Sequence, residues 1–124
     1  MSKINRRAVK KHGDALELVK HQTHEICLEA IKQDPWALRF VKNQAYDLCL
    51  EAVKRDGWSL QYVEIQTPEL CLEAVKQDGW ALRHVKDQTY EICLLAVNKL
   101  AVTFNDIRDP TIKQRVADKL DIKV

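Results

Sequence analysis

No apolar run in this chain is longer than a few residues, so no segment suits a membrane-spanning helix. The opening stretch, MSKINRRAVKKHG, lacks the apolar stretch of a secretory signal, which points to the cytoplasm. Acids are missing from residues 1–12, which carry five Lys/Arg, whereas residues 13–99 carry ten Lys/Arg against fourteen Asp/Glu. The net charge of +2 therefore conceals an acidic body, which argues against a nucleic-acid groove along it. No nucleophile, base and anion-stabilising group can be assembled from these residues, so an enzyme is not expected, and neither is a cofactor. What remains is one domain, residues 1–124, with 46% apolar residues from which to build a core.

The chain repeats. Cys27, Cys49, Cys71 and Cys93 recur at a constant interval of 22, and three segments align without a gap: DPWALRFVKNQAYDLCLEAVKR (34–55), DGWSLQYVEIQTPELCLEAVKQ (56–77) and DGWALRHVKDQTYEICLLAVNK (78–99). HGDALELVKHQTHEICLEAIKQ (12–33) is a fourth copy without the tryptophan. Residues 1–11 read as an N-terminal half-repeat, with Asn5 and Arg6 in the Cys-Leu columns. Residues 100–124 read as a degenerate fifth copy with Arg115 in the cysteine column. Polar residues replacing core residues at both ends are what capping units of a solenoid require. The basic start thus reads as a capping helix rather than a nucleic-acid-binding arm.

Two prolines locate the breaks within each copy. Pro35 stands where Gly57 and Gly79 stand in the next copies, a position that accepts proline's fixed φ and needs no N–H. That is a first helical position, with Asp34, Asp56 and Asp78 as N-caps, so these glycines are not left-handed C-caps. Pro68 marks the second break, with Thr23, Thr67 and Thr89 as N-caps. Each unit is then helix A (about PWALRFVK), a tight turn, and helix B (about YDLCLEAVKR). On a helical wheel Leu48, Cys49, Leu50, Ala52 and Val53 form the buried arc of helix B, with Asp47, Glu51 and Lys54 in water. Trp36, Ala37, Leu38, Phe40 and Val41 form the arc of helix A, and both arcs span about 200°. Helices this short are unstable alone, so stacking has to stabilise them. The fold class is all-α, a short α-solenoid of helical hairpins about 22 residues each.

The phrases ICLEAIKQD, LCLEAVKRDGWSLQYV and LCLEAVKQDGWALRHVK resemble the tandem repeats of the domain-of-unknown-function 4116 family, found in bacterial and giant-virus proteins. The resemblance covers residues 12–99 well and 100–120 weakly. It implies short helical hairpins in tandem and brings no activity, catalytic residue or cofactor with it.

The repeated polar and sulfur residues read as scaffold. Equivalent residues of successive units lie at least about 8–10 Å apart, too far for the cysteines to bridge or to share a metal, so each is a small buried hydrophobe. Cys71 is expected beside Ala74 and Leu50 or their equivalents. His21 and His24 in HQTHE flank an N-cap turn instead of sharing a helix face, and read as a solvated turn. Gln22, Gln44, Gln66 and Gln88 precede the N-cap position in every copy and are expected to bond a neighbouring turn's backbone.

Function in a repeat protein should lie on exposed columns. One is acidic: Glu25, Glu29, Asp47, Glu51, Glu69, Glu73 and Glu91 on helix B. The helix A surface leans basic, with Lys20, Arg39, Lys42, Arg83 and Lys86 against Glu17 and Glu64. Trp36 with Phe40, Trp58 with Tyr62, and Trp80 with His84 form i, i+4 pairs along one edge of helix A, either a binding ridge or inter-repeat core. The expectation is a non-enzymatic binding module whose partner is another protein. Membrane and nucleic acid are not the expected partners, and self-association is left open. Two other classes stand beside it: an amphipathic lipid-binding repeat, which would gain helicity on liposomes, and a single-stranded RNA-binding repeat, which would bind in a salt-sensitive way.

Overall fold

The computed structural model describes residues 3–123. Six α-helices alternate with five 3-10 helices. The α-helices are α1 (Lys3–Lys11), α2 (His24–Gln33), α3 (Tyr46–Arg55), α4 (Pro68–Gln77), α5 (Tyr90–Lys99) and α6 (Pro110–Leu120). The 3-10 helices are η1 (Gly13–Leu18), η2 (Pro35–Phe40), η3 (Gly57–Tyr62), η4 (Gly79–His84) and η5 (Ala101–Asp106). Each α-helix packs on the next α-helix and each 3-10 helix on the next 3-10 helix. Each of η1 to η4 also contacts the α-helices on both sides of it in sequence. The result is an all-α solenoid of two parallel rows, α and 3-10, with the core between them.

Capping residues set the helix starts. Thr23, Thr67 and Thr89 each accept a hydrogen bond from the N–H three residues on, at 3.3, 3.2 and 3.3 Å. Asp34, Asp56 and Asp78 accept from Trp36, Trp58 and Trp80 N–H, each at 3.0 Å. At α3 the cap position is Ala45, which offers no side-chain acceptor. No described glycine has positive φ, as the Pro35 alignment requires. Gly57 is there for close approach instead: a Cβ on it would lie 2.4 Å from the Ala74 carbonyl oxygen of the following helix. At Gly79 the corresponding distance, to Ala96 O, is 3.4 Å.

Helix A differs from its expected form. It is six residues of 3-10 helix, and Val41, Val63 and Val85 that follow are extended. Leu38 and the extended Val41 are both buried in the core, while the 120° step of a 3-10 helix sets Trp36 and Phe40 about 120° apart. The α-helical wheel for helix A is therefore corrected, and Trp36 and Phe40 are only half-buried. In helix B the buried set of α3 is Leu48, Cys49, Ala52 and Val53. Leu50 and Glu51, expected in core and in water, are both half-buried. They flank the buried arc, where neighbouring α-helices meet.

The ends use polar substitutions. In α1, Arg6 pairs with Glu25 of α2 at 3.1 Å. In α6, Arg115 is exposed and lies 4.1 Å from the Tyr90 ring centroid. α6 ends at Asp121 in the left-handed conformation (φ 57°), and Ile122 N–H closes it on Ala117 O at 2.8 Å.

Candidate functional site

The recurring glutamines build the first ladder. Gln44 Nε2 donates to Leu38 O of its own unit at 3.3 Å and to Tyr62 O of the next at 2.8 Å, while its Oε1 accepts from Glu64 N–H at 3.0 Å. Gln22, Gln66 and Gln88 repeat this pattern, with the cross-unit bonds to Phe40 O, His84 O and Asp106 O at 2.7, 2.8 and 3.0 Å. An amide is required because it both donates and accepts, and it gives a partner to the last carbonyl of the next unit's 3-10 helix.

The cysteines serve this ladder. Cys27, Cys49 and Cys71 place Sγ 3.7, 3.7 and 3.5 Å from Oε1 of the glutamine five residues earlier, where the thiol is a weak donor. All four cysteines are free and buried, in line with their reading as core residues. Burial is the largest cause that pushes the Cys49, Cys71 and Cys93 thiols up to about 11, and it raises Cys27 too. Such thiols stay protonated near neutrality and are poor nucleophiles. Among the described residues no three His, Cys, Asp or Glu side chains are placed to hold a metal ion.

A second ladder joins tryptophans to aspartates. Trp36 Nε1 donates to Asp56 Oδ2 at 2.9 Å and Trp58 Nε1 to Asp78 Oδ2 at 2.7 Å. One carboxylate thus caps its own 3-10 helix through Oδ1 and holds the previous unit's indole through Oδ2. Leu100 takes the aspartate's place opposite Trp80. The aromatic pairs also run between units: Trp36 packs edge-on against Tyr62 (5.7 Å between centroids) and Trp58 against His84 (5.2 Å). This corrects the expected pairing of Trp36 with Phe40, Trp58 with Tyr62 and Trp80 with His84 inside one helix. All six side chains remain half-buried. Arg39 lies over the Phe40 ring at 4.6 Å and reaches Tyr62 at 6.0 Å, and Arg83 lies over Trp80 at 4.7 Å. His84 is held below its ordinary value of 6.5, by burial first and by the Arg83 charge second.

Residues 46–88 match the family model described as domain of unknown function (DUF4116). The matched segment runs from the first residue of α3 to the glutamine that follows η4, so the resemblance read from the repeat phrases is found there. No curated protein and no solved structure matches the chain. The ladder residues of the matched segment recur in the copies on either side of it: Gln22, Cys27 and Asp34 before, Cys93 after.

The acidic column divides in two. Glu25, Asp47, Glu69 and Glu91 are exposed, one in the first turn of each of α2 to α5, whereas Glu29, Glu51 and Glu73 are half-buried. Two of the exposed acids are engaged within the chain, Glu25 with Arg6 and Asp47 with His24 Nε2 at 2.7 Å. His24 is therefore a cross-unit contact and not a purely solvated turn residue. Sequence reasoning missed the indole–aspartate bonds and the stacked arginines. The signal that could have found the first was the shared interval: each tryptophan that bonds stands twenty residues before an aspartate. No helix among the described residues is long and apolar enough to cross a membrane.

Proposed function

We propose that the chain is a non-enzymatic helical-repeat module that binds another protein along the aromatic and arginine edge of its 3-10 row. The observation that carries this reading is a continuous edge over three units, from Phe40 and Trp36 to Trp80, kept half-buried with Arg39 and Arg83 laid on its rings. Trp, Tyr and Arg are the residues that dominate binding energy at protein interfaces. The repeated glutamines, cysteines and capping aspartates are occupied in holding the units together, which leaves the column that changes identity, Leu18, Phe40, Tyr62 and His84, to differ without loss of scaffold. Leu18 begins that column 82% exposed. Buried, protonated thiols support a role without covalent chemistry. Glu69 and Glu91 form a second, acidic contact surface, since Glu25 and Asp47 already have partners.

The test is capture of partners from native lysate by the intact chain, by Arg39→Glu/Arg83→Glu, and by Glu69→Lys/Glu91→Lys, each checked for its helical circular dichroism. Truncating Trp58 is a poorer probe, because it also removes the bond to Asp78. A specific protein retained by the intact chain and the acidic-row variant but lost with the arginine variant is the expected result. Retention by all three would move the contact off both surfaces, and the absence of any specific protein would sink the reading.

A further inference from the structure

We propose that the groove between the turns that precede α2 and α3 binds a small, multiply charged anion of the phosphate or polycarboxylate class. The groove has a volume of about 420 Å³, the size range of small-ligand sites. Its lining includes the ammonium groups of Lys20 and Lys42 and the imidazoles of His21 and His24, and no carboxylate lines it. The repeat makes this groove unlike the three that follow. The same four columns hold Lys20, His21, Lys42 and Asn43 here, but Lys42, Asn43, Glu64 and Ile65 at the next junction. Glu64, Ile65, Lys86 and Asp87 follow, then Lys86, Asp87, Arg108 and Asp109. Only the first junction brings two lysines together without an acid in these columns.

Two of these side chains, Lys42 and His24, are also held in place. Lys42 Nζ donates to Lys20 O at 3.3 Å, which fixes one ammonium over the groove and leaves its other N–H groups for a ligand. Asp47 holds the His24 ring through Nε2 at 2.7 Å. The Gln22 amide behind them is committed to Phe40 O and Lys42 N–H, so the groove cannot close by collapse of that side chain. Ala45 lines the groove where the other copies carry Thr23, Thr67 and Thr89, and its smaller side chain widens it. An anion with several oxygens is the chemistry that two ammonium groups beside the His21 imidazole in one concave site recognise, because charge-assisted hydrogen bonds are the strong ones. None of the aromatic or arginine side chains of that edge lines the groove, and the proposal does not depend on the protein-binding reading.

The experiment is a two-dimensional NMR titration of the intact chain with pyrophosphate and, separately, with citrate, at fixed ionic strength set by chloride so that screening stays constant. The expected result is saturable shifts confined to the amides of residues 20–24 and 42–48. Affinity should fall about tenfold or more in Lys20→Ala/Lys42→Ala and stay unchanged in Lys54→Ala/Lys76→Ala, which loses equal charge elsewhere. Saturation by pyrophosphate alone assigns a phosphoryl ligand, and saturation by both a general polyanion site. Shifts that spread over all basic surfaces, equal losses in the two double variants, or no saturable shift in the intact chain would overturn the proposal. Lys42→Gln alone, which keeps the stem and a donor to Lys20 O, provides the same reading should the double variant unfold.

Discussion

At the residue scale each ladder glutamine acts through both ends of its amide. Gln66 donates to Leu60 O and His84 O and accepts from Lys86 N–H. Gln66→Ala should therefore cost about 1–3 kcal/mol, since His84 O and Lys86 N–H lose their partner at roughly 0.5–1.5 kcal/mol each while Leu60 O keeps Val63 N–H. Gln66→Glu should not rescue it, because a carboxylate accepts but cannot donate to two carbonyls. Gln61→Ala, which removes only an exposed bond to Trp58 O, should stay within about 0.5 kcal/mol, and urea denaturation of the three variants measures the contrast. His84 gives a pH prediction. Its folded-state value lies below 6.5, so the unfolded chain binds a proton first, and stability present above 6.5 is lost as the pH falls through that value. His84→Tyr, which installs the residue of the preceding copy, should shrink the loss of melting temperature between pH 7.5 and pH 5.5. An unchanged pH dependence would place the effect on other groups. The glutamine's role was legible in the sequence, because an amide fixed in every copy just before a helix cap has a backbone task. The indole–aspartate bond was not, because an α-helical wheel turns the tryptophan toward its own helix.

At the scale of the element, the α-helices were legible and the 3-10 helices only in part. Capping threonines, the Pro68 start and the buried Leu-Cys, Ala-Val pattern all point to the same ten residues of α4, local signals in agreement with packing. Helix A carried the same kind of start signal but had only six residues in which to act, and the short-period helix satisfied its ends through the glutamines. Among α2 to α6 the one missing side-chain cap, at Ala45, is open to repair. Ala45 already has cap geometry, φ −68° and ψ 150°, so Ala45→Thr should stabilise the chain by about 1 kcal/mol, read as a higher urea midpoint at unchanged slope. The same substitution narrows the groove beside Lys20 and Lys42, so it should weaken the anion shifts while raising stability.

For the whole molecule, the step between neighbouring units matters more than any one hairpin, because the units touch mainly their neighbours. That step is set where a 3-10 helix meets the α-helix that follows. A methyl group on Gly57 would meet Ala74 O at 2.4 Å, whereas on Gly79 its closest contact is Leu100 Cβ at 3.1 Å. Gly57→Ala should therefore destabilise the array by about 1–3 kcal/mol and by more than Gly79→Ala, a comparison that thermal melts of the two variants decide. The chain itself places a ring at this position once, at Pro35. A glycine pressed against a carbonyl is in this sense the pivot of a lever: a fraction of an ångström added at one joint is multiplied along the arm beyond it. The curvature of the array, and with it the distance a partner must span from Phe40 to Trp80, is then tuned by single carbon atoms far from the surface that partner touches.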